Sequence, residues 1–128
     1  MKIRGVRGAI TVGADQPDEI LRETGRLVVE MAKENGIEPD DVASVIISTT
    51  TDIASAFPAK AVRTLENWTY VPVMCTHEMD VPGSLPLCIR VMMHVNTNLA
   101  QKEIHHVYLN DAVKLRPDLV KNTGAKML

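Results

Sequence analysis

The stretch DQPDEILRETGRLVVEMAKENG, residues 15–36, decides the fold. Ile20, Leu21, Leu27, Val28 and Met31 recur at the spacing of one helix face, with charged residues between them. Asp15 stands where a helix N-cap would, Pro17 is tolerated in a first turn, and Gly36 suits the residue that ends a helix. One long amphipathic helix is therefore predicted. Upstream, residues 3–12 read as a strand, with Arg4 and Arg7 set among Ile3, Val6, Ala9 and Ile10. Downstream, residues 39–41 form a turn and 42–48 a strand centred on Val45, Ile46 and Ile47. After a polar loop at 49–52, Pro58 opens a short helix over 59–65. Three more strands are predicted at 70–75, 88–95 and 104–109, with Pro82, Gly83 and Pro86 marking the loop between the first two. This order predicts the α+β class: a mixed β-sheet with helices packed on one face.

Val, Ile and Met occupy both faces of these strands, so the open side of the sheet needs cover. Another copy of the chain is expected to supply it. The length of 128 residues suits a single domain, placed at 1–119, and residues 120–128 have no periodicity and are expected to form a flexible tail. Aromatic residues make up only 3%, so the core must be built from Val, Ile, Leu, Ala and Met. A net charge of −2 argues against a nucleic-acid partner, which would need a basic surface. Lys2, Arg4 and Arg7 are not followed by the apolar stretch of a signal peptide. No run of about 18 apolar residues is present to span a membrane. A cytoplasmic protein without a membrane partner is expected.

Nucleotide-binding and serine-hydrolase signatures are absent. Cys75 and Cys88 lack metal or redox spacing, and nothing marks them as a disulfide framework. The adjacent His105 and His106 point apart in a strand, so they cannot both bind one metal. His94 and His105 are better read as surface or satisfied core histidines than as a zinc site, and neither metal nor cofactor is expected. Cys75 and His77 merely share a strand face. The arginines say more. Arg90 interrupts the apolar run from Cys88 to Met93, where a guanidinium is costly unless an anion meets it. An internal ion pair, a wet strand face or an anionic ligand would each satisfy it, and the residues alone favour the first two. Arg7 poses the same question. Glu78 is the candidate internal partner, or it holds a ligand hydroxyl. Lys60 and Arg63 by themselves are a solvated basic face.

Seven segments, in order from about Ile3 to Leu119, resemble the bacterial monofunctional chorismate mutases of the AroH class. They are Arg4-Gly5-Val6-Arg7-Gly8-Ala9, Phe57-Pro58-Ala59-Lys60-Ala61-Val62-Arg63, Tyr70-Val71-Pro72-Val73-Met74-Cys75, Glu78-Met79-Asp80-Val81, Cys88-Ile89-Arg90-Val91-Met92-Met93, His106-Val107-Tyr108-Leu109 and Leu115-Arg116-Pro117-Asp118-Leu119. The resemblance implies a chorismate mutase-like, ferredoxin-like subunit in a homotrimeric pseudo-α/β barrel with active sites at subunit interfaces. One subunit would offer Arg7, Val73, Met74, Cys75, Glu78, Arg90, Tyr108 and Leu115, and its neighbour Phe57, Ala59, Lys60 and Arg63. Arg116 would begin a segment that orders over the ligand. At Met74 the family pattern has Thr, but the contact implied there is a backbone carbonyl.

The implied reaction is the Claisen rearrangement of chorismate to prephenate, in phenylalanine and tyrosine biosynthesis. It needs no cofactor, metal or covalent intermediate. Chorismate is a dianion and no proton moves in the chemical step, so the protein must hold the compact conformer and place charge where charge develops. The resemblance puts Arg90 at the ether oxygen and a carboxylate, and Arg7 and Tyr108 on carboxylate oxygens. Arg63, Lys60 and Arg116 would stand near the mouth, Glu78 and Cys75 on the ring hydroxyl, and Phe57, Val73 and Leu115 in the walls. The competing reading is a trimeric deaminase-like or regulatory protein that binds a small carboxylate metabolite between subunits. It explains Arg90 but not Glu78 facing the same pocket.

Overall fold

Residues 1–115 are described by a computed structural model of the chain. The elements are β1 (Lys2–Thr11), α1 (Pro17–Glu34), β2 (Val42–Thr49), α2 (Ala59–Arg63), β3 (Val73–His77), β4 (Cys88–Thr97) and β5 (Val107–Leu109). Short 3-10 turns lie at Pro39–Asp41, Gln101–Glu103 and Asn110–Lys114. The strands form one mixed sheet in the order β3-β2-β4-β1-β5. Strand β4 pairs antiparallel with both β1 and β2, while β5 lies parallel to β1 and β3 parallel to β2. The α+β reading, one mixed sheet with two helices on one side, holds.

The long helix buries Ile20, Leu27, Val28 and Met31, as the spacing required. These pack on Val6, Ile10, Val45, Ile47, Val91, Met93 and Val95, the inward residues of β1, β2 and β4. Full burial of each such side chain contributes about 1.5–3 kcal/mol. Gly8 lies beneath α1, where a Cβ would run into the Met31 side chain, so glycine sets how closely helix and sheet approach. Gly36 ends the helix at φ +62°, with its own N–H donating to the Lys33 carbonyl at 3.3 Å and that of Ile37 to Ala32 at 2.9 Å. This paired pattern satisfies two carbonyls that the helix leaves open.

Some boundaries differ from the sequence reading. The N-cap is Gln16, not Asp15, and it makes no side-chain cap bond. The third strand runs 73–77 rather than 70–75. Pro72 has no N–H to give, the Val71 N–H turns back to the Trp68 carbonyl, and Tyr70 projects into solvent. The short helix stops at Arg63, where the Thr64 hydroxyl donates to the Lys60 carbonyl at 2.9 Å. The last strand is confined to 107–109. Ahead of it the Asn35 side chain takes both backbone groups of His105, accepting its N–H at 2.7 Å and donating to its carbonyl at 2.9 Å. Trp68, unassigned from sequence, is buried in the core.

Candidate active site

Helices cover one face of the sheet, and Arg90 lies on the other. By register, Tyr108 of β5 pairs Ala9 of β1, Ala9 pairs Arg90 of β4, and Arg90 pairs Ser48 of β2. Side chains on paired residues share a face, so these four form one row. Ala9 and Ser48, the neighbours of Arg90 in the row, are both small. Thr76 of β3 extends the row, and Glu78 follows on the same face. One row away, Arg7 pairs Met92, and Met92 pairs Ile46.

Arg90 Nε is 3.5 Å from Glu78 Oε2, an ion pair without hydrogen-bond geometry. The same carboxylate oxygen accepts from Ser48 Oγ at 3.5 Å. Arg90 Nε is buried and has no hydrogen-bond partner, and neither has the buried Tyr108 hydroxyl. Buried donors left in this state are rare and costly, and they mark where a partner belongs. Cys88 forms the floor, buried with Ala9, Tyr108 and Ala112, while Leu85 and Leu115 pack around them. Burial pushes the Cys88 thiol up, against the opposing pull of the Arg90 guanidinium, so it stands there neutral. Leu115 reaches this cluster because the 110–114 turn is tied to β1. Asn110, at φ +56°, donates to the Thr11 carbonyl at 2.8 Å, and the Asp111 N–H donates to the Thr11 hydroxyl at 3.0 Å. Arg7 is fixed through its backbone, its N–H donating to His106 Nδ1 at 2.9 Å.

The other expected residues lie elsewhere in the chain. Cys75 pairs Ile47, so its thiol points to the helix-covered face and packs against the main core, as does Val73. The thiol is therefore not beside Glu78, and the two free cysteines lie on opposite faces of the sheet. The Cys75 backbone is placed differently. The Val45 N–H donates to the Pro72 carbonyl and the Glu78 N–H to the Thr49 carbonyl, so even-numbered residues of β3 turn their backbone toward β2. Cys75 then presents its N–H and carbonyl along the free edge, whereas Met74, implied as a carbonyl contact, turns its own toward β2. The Met74 side chain is 72% exposed on the open face. Phe57 is 77% exposed, Lys60 and Arg63 are exposed, and Ala59 is buried in α2, which packs in the helix layer. Within one subunit α2 thus stands in the helix layer, on the face opposite Arg90, while Phe57 and Cys75 line a common cavity at the β3 edge. Arg116 lies outside the described residues, as do the 120–128 tail and the end of the 1–119 domain.

Three contributors were not singled out from sequence. Cys88 was legible, since it stands two residues before Arg90 on one strand. Ser48 and His106 depend on strand register and carry no local signal. Among the described residues no group of three His, Cys, Asp or Glu is placed to hold a metal ion. His94 instead shares a hydrogen bond with Ser44 Oγ at 3.1 Å. No helix among them is long and apolar enough to cross a membrane.

Residues 3–119 match the profile of the family described as chorismate mutase type I. The chain belongs to the type I chorismate mutases. Within that family it is 53% identical over 125 residues to chorismate mutase AroH of Bacillus subtilis, covering 96% of this chain and 98% of that protein. It is 47% identical over 118 residues to chorismate mutase AroH of Thermus thermophilus, covering 91% and 96%. A solved chorismate mutase from Clostridium thermocellum superposes with a TM-score of 0.83 at 53% identity, over 85% of this chain and 96% of that one. The family match takes in every residue from Arg7 to Tyr108.

Proposed function

We propose that the open sheet face of this chain converts chorismate to prephenate, and that each site is completed by a neighbouring subunit in a trimer. The observation that carries this is the row from Tyr108 to Ser48. It holds two buried donors without hydrogen bonds, set over a floor of small residues in a member of this family. A dianion brings the acceptors those donors lack.

The chemistry follows from where the charges stand. The C–O bond breaks as the C–C bond forms, and negative charge grows on the ether oxygen. The Arg90 guanidinium is already oriented by Glu78 and confined by its strand, so it meets that charge with little reorganisation. Its planar fork reaches a carboxylate as well. Arg7 and the Tyr108 hydroxyl hold carboxylate oxygens and so select the compact conformer. Glu78 and the Cys75 backbone at the sheet edge receive the ring hydroxyl, and the Glu78 charge offsets positive charge on the ring. Phe57, Ala59, Lys60 and Arg63 enter from the adjoining subunit, closing the site with one aromatic wall and two cations, and Leu115 completes the apolar surround. Arg116 adds a further cation at the mouth. The exposed Ile46 and Met74 on the open face, and the exposed Phe57, are the surfaces such a neighbour covers. The protein works in the cytoplasm, on the branch toward phenylalanine and tyrosine.

Loss of chorismate absorbance on mixing with purified protein tests the activity, and light scattering of the same sample tests the trimer. A protein that leaves chorismate unchanged overturns the first, and a fully active monomer overturns the second.

A further inference from the structure

The loop that carries Phe57 is held by a residue far away in sequence. Ile53 anchors its start in the core, and the Ile53 carbonyl accepts from His77 Nε2 at 3.1 Å. The Asp15 carboxylate then takes the next two backbone N–H groups. Ala54 N–H donates to both carboxylate oxygens, at 3.2 and 3.1 Å, and Ser55 N–H donates to Oδ1 at 3.1 Å. Two residues later Phe57 stands exposed, and its carbonyl accepts from Lys60 N–H at the entry to α2. Asp15 itself belongs to the short link between β1 and α1, whose Gly13 N–H is fixed to the Glu19 carboxylate at 2.6 Å. A charged acceptor on the main scaffold therefore sets the course of the loop just before it delivers Phe57, Lys60 and Arg63.

We propose that Asp15 is a positioning residue for chorismate rearrangement, acting on the site of the adjoining subunit through the 53–57 loop. This rests on the interfacial reading of the site. Asp15 touches no reacting atom; it fixes where the neighbour's aromatic wall and cations stand. Small misplacements of such groups are expensive in rate.

The test is complementation between variants. Asp15→Ala should lower kcat/KM about tenfold, with the trimer kept, and Asp15→Asn, which retains one acceptor oxygen, should lose less. Mixed trimers of Asp15→Ala with Arg90→Ala subunits are then made by co-expression with two tags. About one in three of their interfaces pairs an intact Arg90 half with an intact loop half, so activity should rise severalfold above the sum of the parents. The control pair is Arg63→Ala with Arg90→Ala, measured alike. If the control gains and the Asp15 pair does not, Asp15 acts within its own subunit and the proposal is overturned. Full activity of Asp15→Ala overturns it as well. If the control itself fails to gain, the interfacial reading falls and takes the proposal with it. Should Asp15→Ala not fold, the mixed trimers are made with Asp15→Asn and judged in the same way.

Discussion

Arg90 Nε lies 3.5 Å from Glu78 Oε2, near enough for attraction, yet neither that oxygen nor any other acceptor completes a hydrogen bond to it. The pair is held in readiness rather than neutralised. Glu78 lies beside the guanidinium, and Arg90 Nε keeps its donor unused. The sequence reading treated an internal ion pair and an anionic ligand as alternatives for Arg90; the structure contains the ion pair together with an unused donor.

Arg90 is expected to act mainly on turnover. The ether oxygen is more negative in the transition state than in chorismate, so a cation aimed at it lowers the barrier more than it tightens binding. Losing one oriented donor to a developing oxyanion costs about 10²–10³ in rate, and Arg90→Ala should reach or exceed that. Arg90→Lys keeps charge without the fork and should lose less, still in kcat. Citrulline at position 90 should bind chorismate measurably and turn over very slowly. Steady-state kinetics on the three variants decide it, and retained kcat with weakened binding for citrulline would make Arg90 a clamp only.

Glu78→Ala and Cys75→Ser should differ widely. Glu78 faces the Arg90 row, and its removal takes away a hydroxyl partner and a charge, lowering kcat by about a hundredfold or more. The Cys75 thiol faces the core, and only its backbone meets the open edge, so Cys75→Ser should keep kcat within a few-fold of wild type. Equal damage from both, with an adduct in intact-mass spectra, would instead make Cys75 a nucleophile.

Asp15 gives a pH dependence with a definite sign. The Ser55 hydroxyl, helped by the Ser55 and Ala54 backbone N–H groups, holds its carboxyl below the ordinary value of 3.8. A group whose folded pKa is depressed contributes stability that is complete above the unfolded value and disappears as pH falls through the folded one. The stability gap between wild type and Asp15→Asn should therefore be level from about pH 7 to pH 5 and close below about pH 4. Urea unfolding across that range measures it. A gap that closes near neutral pH would assign the effect to another group.

Thr24→Val should stabilise the protein. Thr24 is fully buried in α1, and its hydroxyl has no hydrogen-bond partner. Replacing it by a methyl group of similar shape removes an unmet polar group, for a gain of about 1 kcal/mol and a rise of a few degrees in Tm. Chorismate turnover should not change. A fall in Tm would show that the hydroxyl is bonded in solution.

The sequence by itself determined the elements and the anomaly. The apolar spacing of Ile20, Leu27, Val28 and Met31, the stop at Gly36 and the run around Val45 are local patterns, and short-range sterics and burial enforce them wherever they occur. Arg90 inside an apolar strand is likewise visible without any partner, because desolvating a guanidinium is costly in every fold. Only the tertiary structure decided which side chains share a face. Tyr108, Ala9, Arg90 and Ser48 form a row through backbone pairings between distant segments, and a shift of one residue would turn Arg90 into the core. The same alternation sends the Cys75 thiol one way and the Glu78 carboxylate the other. Asp15 resembled a helix cap because local sequence offers that use for an aspartate. Packing brought it beside Ala54 and Ser55, 39 and 40 positions along the chain, and their backbone N–H groups took the carboxylate.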